Sequence, residues 1–146
     1  MQMIPLETLY AFAEAKSYDL YWIRSGDARI CSMSVTDGIH CAIMMDPSKL
    51  PTEAEQRQTL AHELGHCVTG SFYNRYAKLD LRQKYENRAD KWAIEQLVPA
   101  DALAQAVASG HTELWDLAEY FGVTEAFMKK ALCWYHHGNL ASELYE

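Results

Sequence analysis

Thr59-Leu60-Ala61-His62-Glu63-Leu64-Gly65-His66 is the stretch on which the reading of this chain turns. Residues four apart on an α-helix lie one above the other on the same face, so His62 and His66 aim two imidazoles at one point. A zinc ion accepts imidazole nitrogens at about 2.0–2.1 Å, so both histidines can bind one ion. Glu63, between them, projects beside the metal rather than onto it, where it can take a proton from a water as a general base. The pattern H-E-x-x-H arises by chance in roughly one chain in a few hundred of this length, so it requires a third ligand to become a site.

Working outward, the motif helix has clear ends. Thr52-x-x-Glu55 offers a capping box just after Pro51, and Gly70 supplies a left-handed stop after Thr69. A connection from Ser71 to about Leu79 leads to a second long helix, from about Leu81 to Leu97, which Pro99 ends. That helix carries Glu86-Asn87-Arg88-Ala89-Asp90, with Glu86 twenty positions after His66. A catalytic zinc keeps three protein ligands and one open position, and two histidines with a glutamate form an established set, so Glu86 is the expected third ligand. Asp90 follows one turn later on the same face and is placed to accept the second imidazole N–H of a ligand histidine, fixing its tautomer. Ala89 and Ala93 are small. Gly65 costs about 1 kcal/mol relative to alanine inside a helix, so the two helices are expected to cross closely there. Glu95 lies off this face, Asp80 precedes the helix, and Cys67 points about 100° away from His66, which suits a small buried side chain.

Before the motif, a short amphipathic helix is expected from about Pro5 to Lys16. Asp19 to Arg24, Ala28 to Val35 and Ile39 to Met45 are β-prone and predict a small antiparallel sheet. Asp37-Gly38 predicts a two-residue hairpin turn, which sets Thr36 opposite Ile39 and Ser34 opposite Cys41 and leaves Cys31 on the other face. With no C-x-x-C pair among Cys31, Cys41, Cys67 and Cys133, free thiols in a reducing cytosol are expected. After Pro99 the pattern stays helical over Ala100 to Ala108, Thr112 to Tyr120 and Glu125 to about His136. The expected architecture is one α+β domain over 1–146: a helix, sheet and metal-site helices to about residue 99, then a helical extension.

Composition narrows the functions. The chain has 146 residues, 49% hydrophobic and 12% aromatic, enough for a packed core. Its net charge of −7, with Lys129-Lys130 as the longest basic cluster, disfavours direct nucleic-acid binding. No apolar run reaches the roughly 18–20 residues of a membrane helix and no signal peptide is visible, so a cytoplasmic protein without a membrane partner is expected.

With these residues placed, the chain resembles the ImmA/IrrE family of metallo-endopeptidases, many encoded by phages and mobile elements. The resemblance runs from about Ile39 to Leu132. It rests on Thr59 to His66, on Glu86-x-x-Ala89-Asp90-x-Trp92-Ala93-x-x-x-Leu97-Val98-Pro99, and on Leu117-Ala118-Glu119-Tyr120-Phe121-Gly122-Val123-Thr124. The family usually has Asn at the position of Asp90 and Phe at that of Trp92. Aspartate there is similar to the Glu-x-x-x-Asp arrangement of thermolysin-like zinc peptidases. The resemblance implies a compact zincin-like fold, one zinc ion, and as substrate a helix-turn-helix transcriptional repressor encoded nearby, whose cleavage relieves repression.

Residues 117–127 also have the outline of a DNA-reading helix-turn-helix, but the second helix, Glu125 to Leu132, carries no Arg, Asn or Gln to read base edges. A non-catalytic protein that sequesters a regulator is the other alternative, and the intact Glu63 argues against it. Oxyanion stabilisation is left open among Tyr73, Tyr76, Tyr85, His40, His111, His136 and His137.

Overall fold

A computed structural model describes residues 3–74 and 76–140. In chain order the elements are α1 (Leu6–Ala15), β1 (Asp19–Trp22), β2 (Ser32–Thr36), β3 (Cys41–Met45), α2 (Glu53–Thr69), α3 (Leu79–Leu97), α4 (Ala100–Ala108), α5 (Leu114–Phe121) and α6 (Glu125–His137). The fold is α+β. The last six residues of the expected helical extension lie outside the described residues.

The helix that carries the motif, α2, starts and stops as its local chemistry dictates. Thr52 Oγ1 accepts from the Glu55 N–H at 3.1 Å while the Glu55 carboxylate accepts from the Thr52 N–H at 3.2 Å, which completes the capping box. At the other end Gly70 takes φ 67°, a left-handed conformation that glycine adopts without steric cost.

The sheet has the order β1-β3-β2, and only one of its two pairings is antiparallel. β2 runs antiparallel to β3, with Ser34 opposite Ile43, whereas β1 runs parallel to β3, with Leu20 beside Ile43. The expectation of an all-antiparallel sheet is corrected on this point, and the reason lies in segment 23–31. It carries the chain from β1 across the end of the sheet, leaving a slot that β3 fills. The Lys49 ammonium pins this crossover by donating to the carbonyls of Ser25, Asp27 and Ile30, and the Asp46 carboxylate accepts the Ser25 N–H.

The hairpin turn also differs. Thr36 pairs with Cys41, leaving 37–40 as the loop in place of a two-residue turn. The Asp37 carboxylate explains this by accepting the N–H groups of both Ile39 and His40, at 2.8 and 2.6 Å, which organises a longer loop. Moving the register by two residues preserves which face each side chain occupies. Cys41 therefore points inward, toward α2, and forms a disulfide with Cys67, their Cα atoms 6.1 Å apart. The expectation of four free thiols, and of an unbonded Cys67, is overturned for this pair: turned toward each other from facing elements, the two sulfurs are within bonding reach. Cys31 and Cys133 are free. Among the described residues no helix is long and apolar enough to cross a membrane.

Packing fixes α2 at the centre. Ile43 and Met45 from β3, Leu60 and Leu64 from α2, Ile94 and Leu97 from α3, and Phe121 and Met128 from the last two helices join one buried cluster. A Cβ added at Gly65 would stand 2.6 Å from the Ala89 carbonyl oxygen, so the backbones of α2 and α3 meet there, as the small residues predicted. On the far side the buried Arg57 guanidinium donates to the carbonyls of Ile4 and Gly122, and Gln58 accepts from the Thr124 N–H at 3.0 Å. These bonds lock the N-terminal segment and the α5–α6 turn onto α2.

Candidate metal centre

Each imidazole is held from behind. His62 Nδ1 lies 2.7 Å from an oxygen of Asp90, and His66 Nδ1 lies 2.6 Å from the Ser71 carbonyl oxygen. With those nitrogens engaged as donors, the Nε2 atoms are the ones presented to the cleft as ligand atoms. Both converge on Glu86 Oε2, at 2.7 Å from His62 and 3.3 Å from His66. His62, Glu63 and His66 offer ligand atoms that all lie within 4.8 Å of one another. Of the two carboxylates, that of Glu86 is the one both Nε2 atoms approach, and two imidazole nitrogens with that oxygen form a donor set suited to a tetrahedral divalent ion with one open position, so the residues fit zinc.

Every residue expected at the site is brought into it. Glu86 and Asp90 come from α3, one turn apart, and reach the histidines across the Gly65–Ala89 crossing. Asp90 also accepts from Lys130 Nζ on α6 at 3.0 Å, so each of its oxygens has a partner. Glu63 and His66 are buried, while His62 is about a quarter exposed. Glu63 accepts from the hydroxyls of Ser32 and Ser34 on β2, at 2.7 and 3.0 Å.

The electrostatics follow from this wiring. Burial opposes charge on His62, but its bonds to Asp90 and Glu86 and the nearby carboxylates outweigh that and push the metal-free imidazole up to about 10. Burial likewise opposes ionisation of Glu86, yet His62, His66 and Tyr73 hold it well below the usual carboxylate range. Asp90, also buried, is lowered by His62 and Lys130.

The site opens into a cleft of about 620 Å³. Its lining includes Ser32 to Ser34 of β2, Phe72 and Tyr73, and Gln58, Phe127 and Lys130. Of the residues left open for oxyanion stabilisation, Tyr73 is the one that lines this cleft, its hydroxyl donating to Glu86 Oε1 at 2.6 Å. Burial and the Glu86 charge push that phenol up to about 12. Tyr85 stacks on Tyr73, Tyr76 is 78% exposed, and His40 and His111 are engaged with Asp37 and Asp116.

Sequence reasoning missed Ser32, Ser34, the Ser71 carbonyl and Lys130. Ser32-Met33-Ser34-Val35-Thr36 does alternate polar and apolar, a signal for a strand with a polar face, but nothing local says that this face meets Glu63. Lys130 was weighed only as part of a basic pair.

The family model Peptidase_M78, described as an IrrE N-terminal-like domain, matches residues 48–132, more than half of the chain. That span contains both motif histidines, Glu63, Glu86, Asp90 and Lys130, and it excludes the sheet. No curated protein and no solved structure matches the chain.

Proposed function

The chain belongs to the IrrE N-terminal-like peptidase family, and on that footing we propose that it is a zinc-dependent endopeptidase acting on a protein, with a helix-turn-helix transcriptional repressor encoded nearby as its substrate. The observation that carries the chemistry is the convergence of both histidine Nε2 atoms on Glu86 Oε2, with each Nδ1 tied down by Asp90 or by the Ser71 carbonyl. In this reading His62, His66 and Glu86 hold the ion and Asp90 orients His62. Bound zinc supplies Lewis acidity, which lowers the pKa of a water to about 7 and polarises a peptide carbonyl. Glu63 takes the proton of the attacking water and returns it to the leaving amine. Tyr73 stands beside Glu86 with a hydroxyl that can turn toward the oxygen on which charge develops. Because β2 is at the edge of the sheet, an extended segment of substrate can add alongside it as it crosses the cleft. The choice of a repressor rests on family resemblance alone.

The test compares wild type with Glu63→Gln, measuring bound zinc by elemental analysis and cleavage of the repressor encoded beside the gene. Both proteins should bind one zinc, and the variant should cleave at least about 100-fold more slowly, the usual worth of a general base. A variant that keeps zinc and cleaves normally sinks the mechanism. Zinc-loaded wild type that inactivates the repressor but leaves it intact replaces cleavage with sequestration.

A further inference from the structure

Glu63 must hold its carboxylate at one place, yet it is a flexible side chain with three torsions. The two metal-binding histidines are fixed by Asp90 and the Ser71 carbonyl, and the base needs a comparable anchor. β2 supplies it. Ser32 lies opposite Met45 and Ser34 opposite Ile43, both fully buried inward residues of β3, so the two serines occupy the sheet face that looks onto α2. Ser32 Oγ donates to Glu63 Oε2 at 2.7 Å and Ser34 Oγ to Oε1 at 3.0 Å. Each carboxylate oxygen thus receives one hydroxyl, a two-point hold that fixes both the position and the plane of the group.

We propose that Ser32 and Ser34 are positioning residues for Glu63: the edge strand of the sheet, lying outside the family-matched span, orients the base of the metal helix. This rests on Glu63 as the general base. The hydroxyls are uncharged, so they orient the carboxylate without pairing off its charge. Positions i and i+2 of a strand lie on one face about 6.7 Å apart, and the hydroxyls lean in from either side to grip the two oxygens, a geometry that a single residue cannot reproduce. Thr36, further along the same face but exposed, donates its hydroxyl to the His40 carbonyl and takes no part.

The closing experiment needs no knowledge of the substrate. Acetohydroxamic acid binds the zinc of such sites while passing a proton to the neighbouring base, so its affinity for the zinc-loaded protein reads where Glu63 is. Zinc affinity is measured alongside by competition with a chromophoric chelator. Ser32→Ala/Ser34→Ala should keep zinc affinity within about twofold and weaken acetohydroxamate by at least about tenfold, the low end for one hydrogen bond to a charged group. Ser32→Thr/Ser34→Thr, which restores the hydroxyls, should recover most of that loss. If the double alanine variant binds acetohydroxamate like wild type while Glu63→Gln does not, the serines do not position the base and the proposal falls. If Glu63→Gln itself binds it like wild type, the general-base reading beneath the proposal has failed instead. If zinc and acetohydroxamate are lost together in the double variant and in each single alanine, the serines serve the fold and the proposal is equally overturned.

Discussion

Toward α3, the metal helix is met by backbone: Gly65 and Ala89 bring the helix axes close enough for Glu86 and Asp90 to reach two imidazoles. Toward β2 it is met by hydroxyls, with Ser32 and Ser34 reaching across to Glu63. The first interface gathers charged groups that shift one another's proton affinity; the second uses groups that do not titrate. The difference separates two jobs of one helix. In the mechanism proposed above, one side sets what is bound and the other sets where the base stands.

If that division holds, substitutions on the two sides should have separable effects. The largest is expected from Glu86→Ala, which removes a ligand and should lower zinc affinity by more than the roughly 10–100-fold typical of losing an outer partner, as read by chelator competition. Equal zinc affinity in wild type and this variant would break the comparison, because β2 or Glu63 would then be supplying the third ligand. Next comes Gly65→Ala. Its new methyl meets backbone, not a movable side chain, so the helices must part at a cost of about 1–3 kcal/mol in chemical denaturation, less the roughly 1 kcal/mol that alanine adds to a helix. Zinc affinity should fall with it while the Ser32 and Ser34 contacts persist.

The last effect is a pH dependence that belongs to the α3 side only. In the metal-free protein His62 is raised from 6.5 to about 10, so the stability it contributes is fully present below about pH 6.5 and is lost as pH rises toward 10. Glu86 and Asp90 are lowered, so theirs is present above about pH 4.5 and lost as pH falls. Thermal melts of metal-free protein should therefore decline from pH 6.5 to 10. The stabilisation gained on adding zinc should grow over the same window, because zinc must displace the His62 proton. A flat metal-free profile there would show that the carboxylates do not act on His62.

The two sides also differ in how far they can be read from residues alone. His62, His66, Glu86 and Asp90 were legible because helical spacing converts directly into a shared face, and Gly65 with Ala89 and Ala93 announced the crossing. The serines were not, since a strand-to-helix contact depends on strand register and on which face looks inward. The register was obscured at the hairpin, where Asp37 organises a loop over 37–40 in place of the two-residue turn that Asp-Gly suggests, and nothing local says which face meets α2. The parallel β1–β3 pairing was hidden for a related reason: strands adjacent in sequence usually pair with each other, and nothing in segment 23–31 declares that Lys49 and Asp46 will hold it across the sheet end. The Cys41–Cys67 link needed the same missing knowledge of which strand faces which helix turn.

That link has a topological consequence. It turns residues 41–67 into a covalent ring that holds β3 and nearly all of α2, including both histidines and the glutamate between them. A chain nicked in the stretch 46–52, between strand and helix, remains one molecule, its two pieces joined through the disulfide. Damage to that connection is a hinge opened within a closed loop rather than a piece lost.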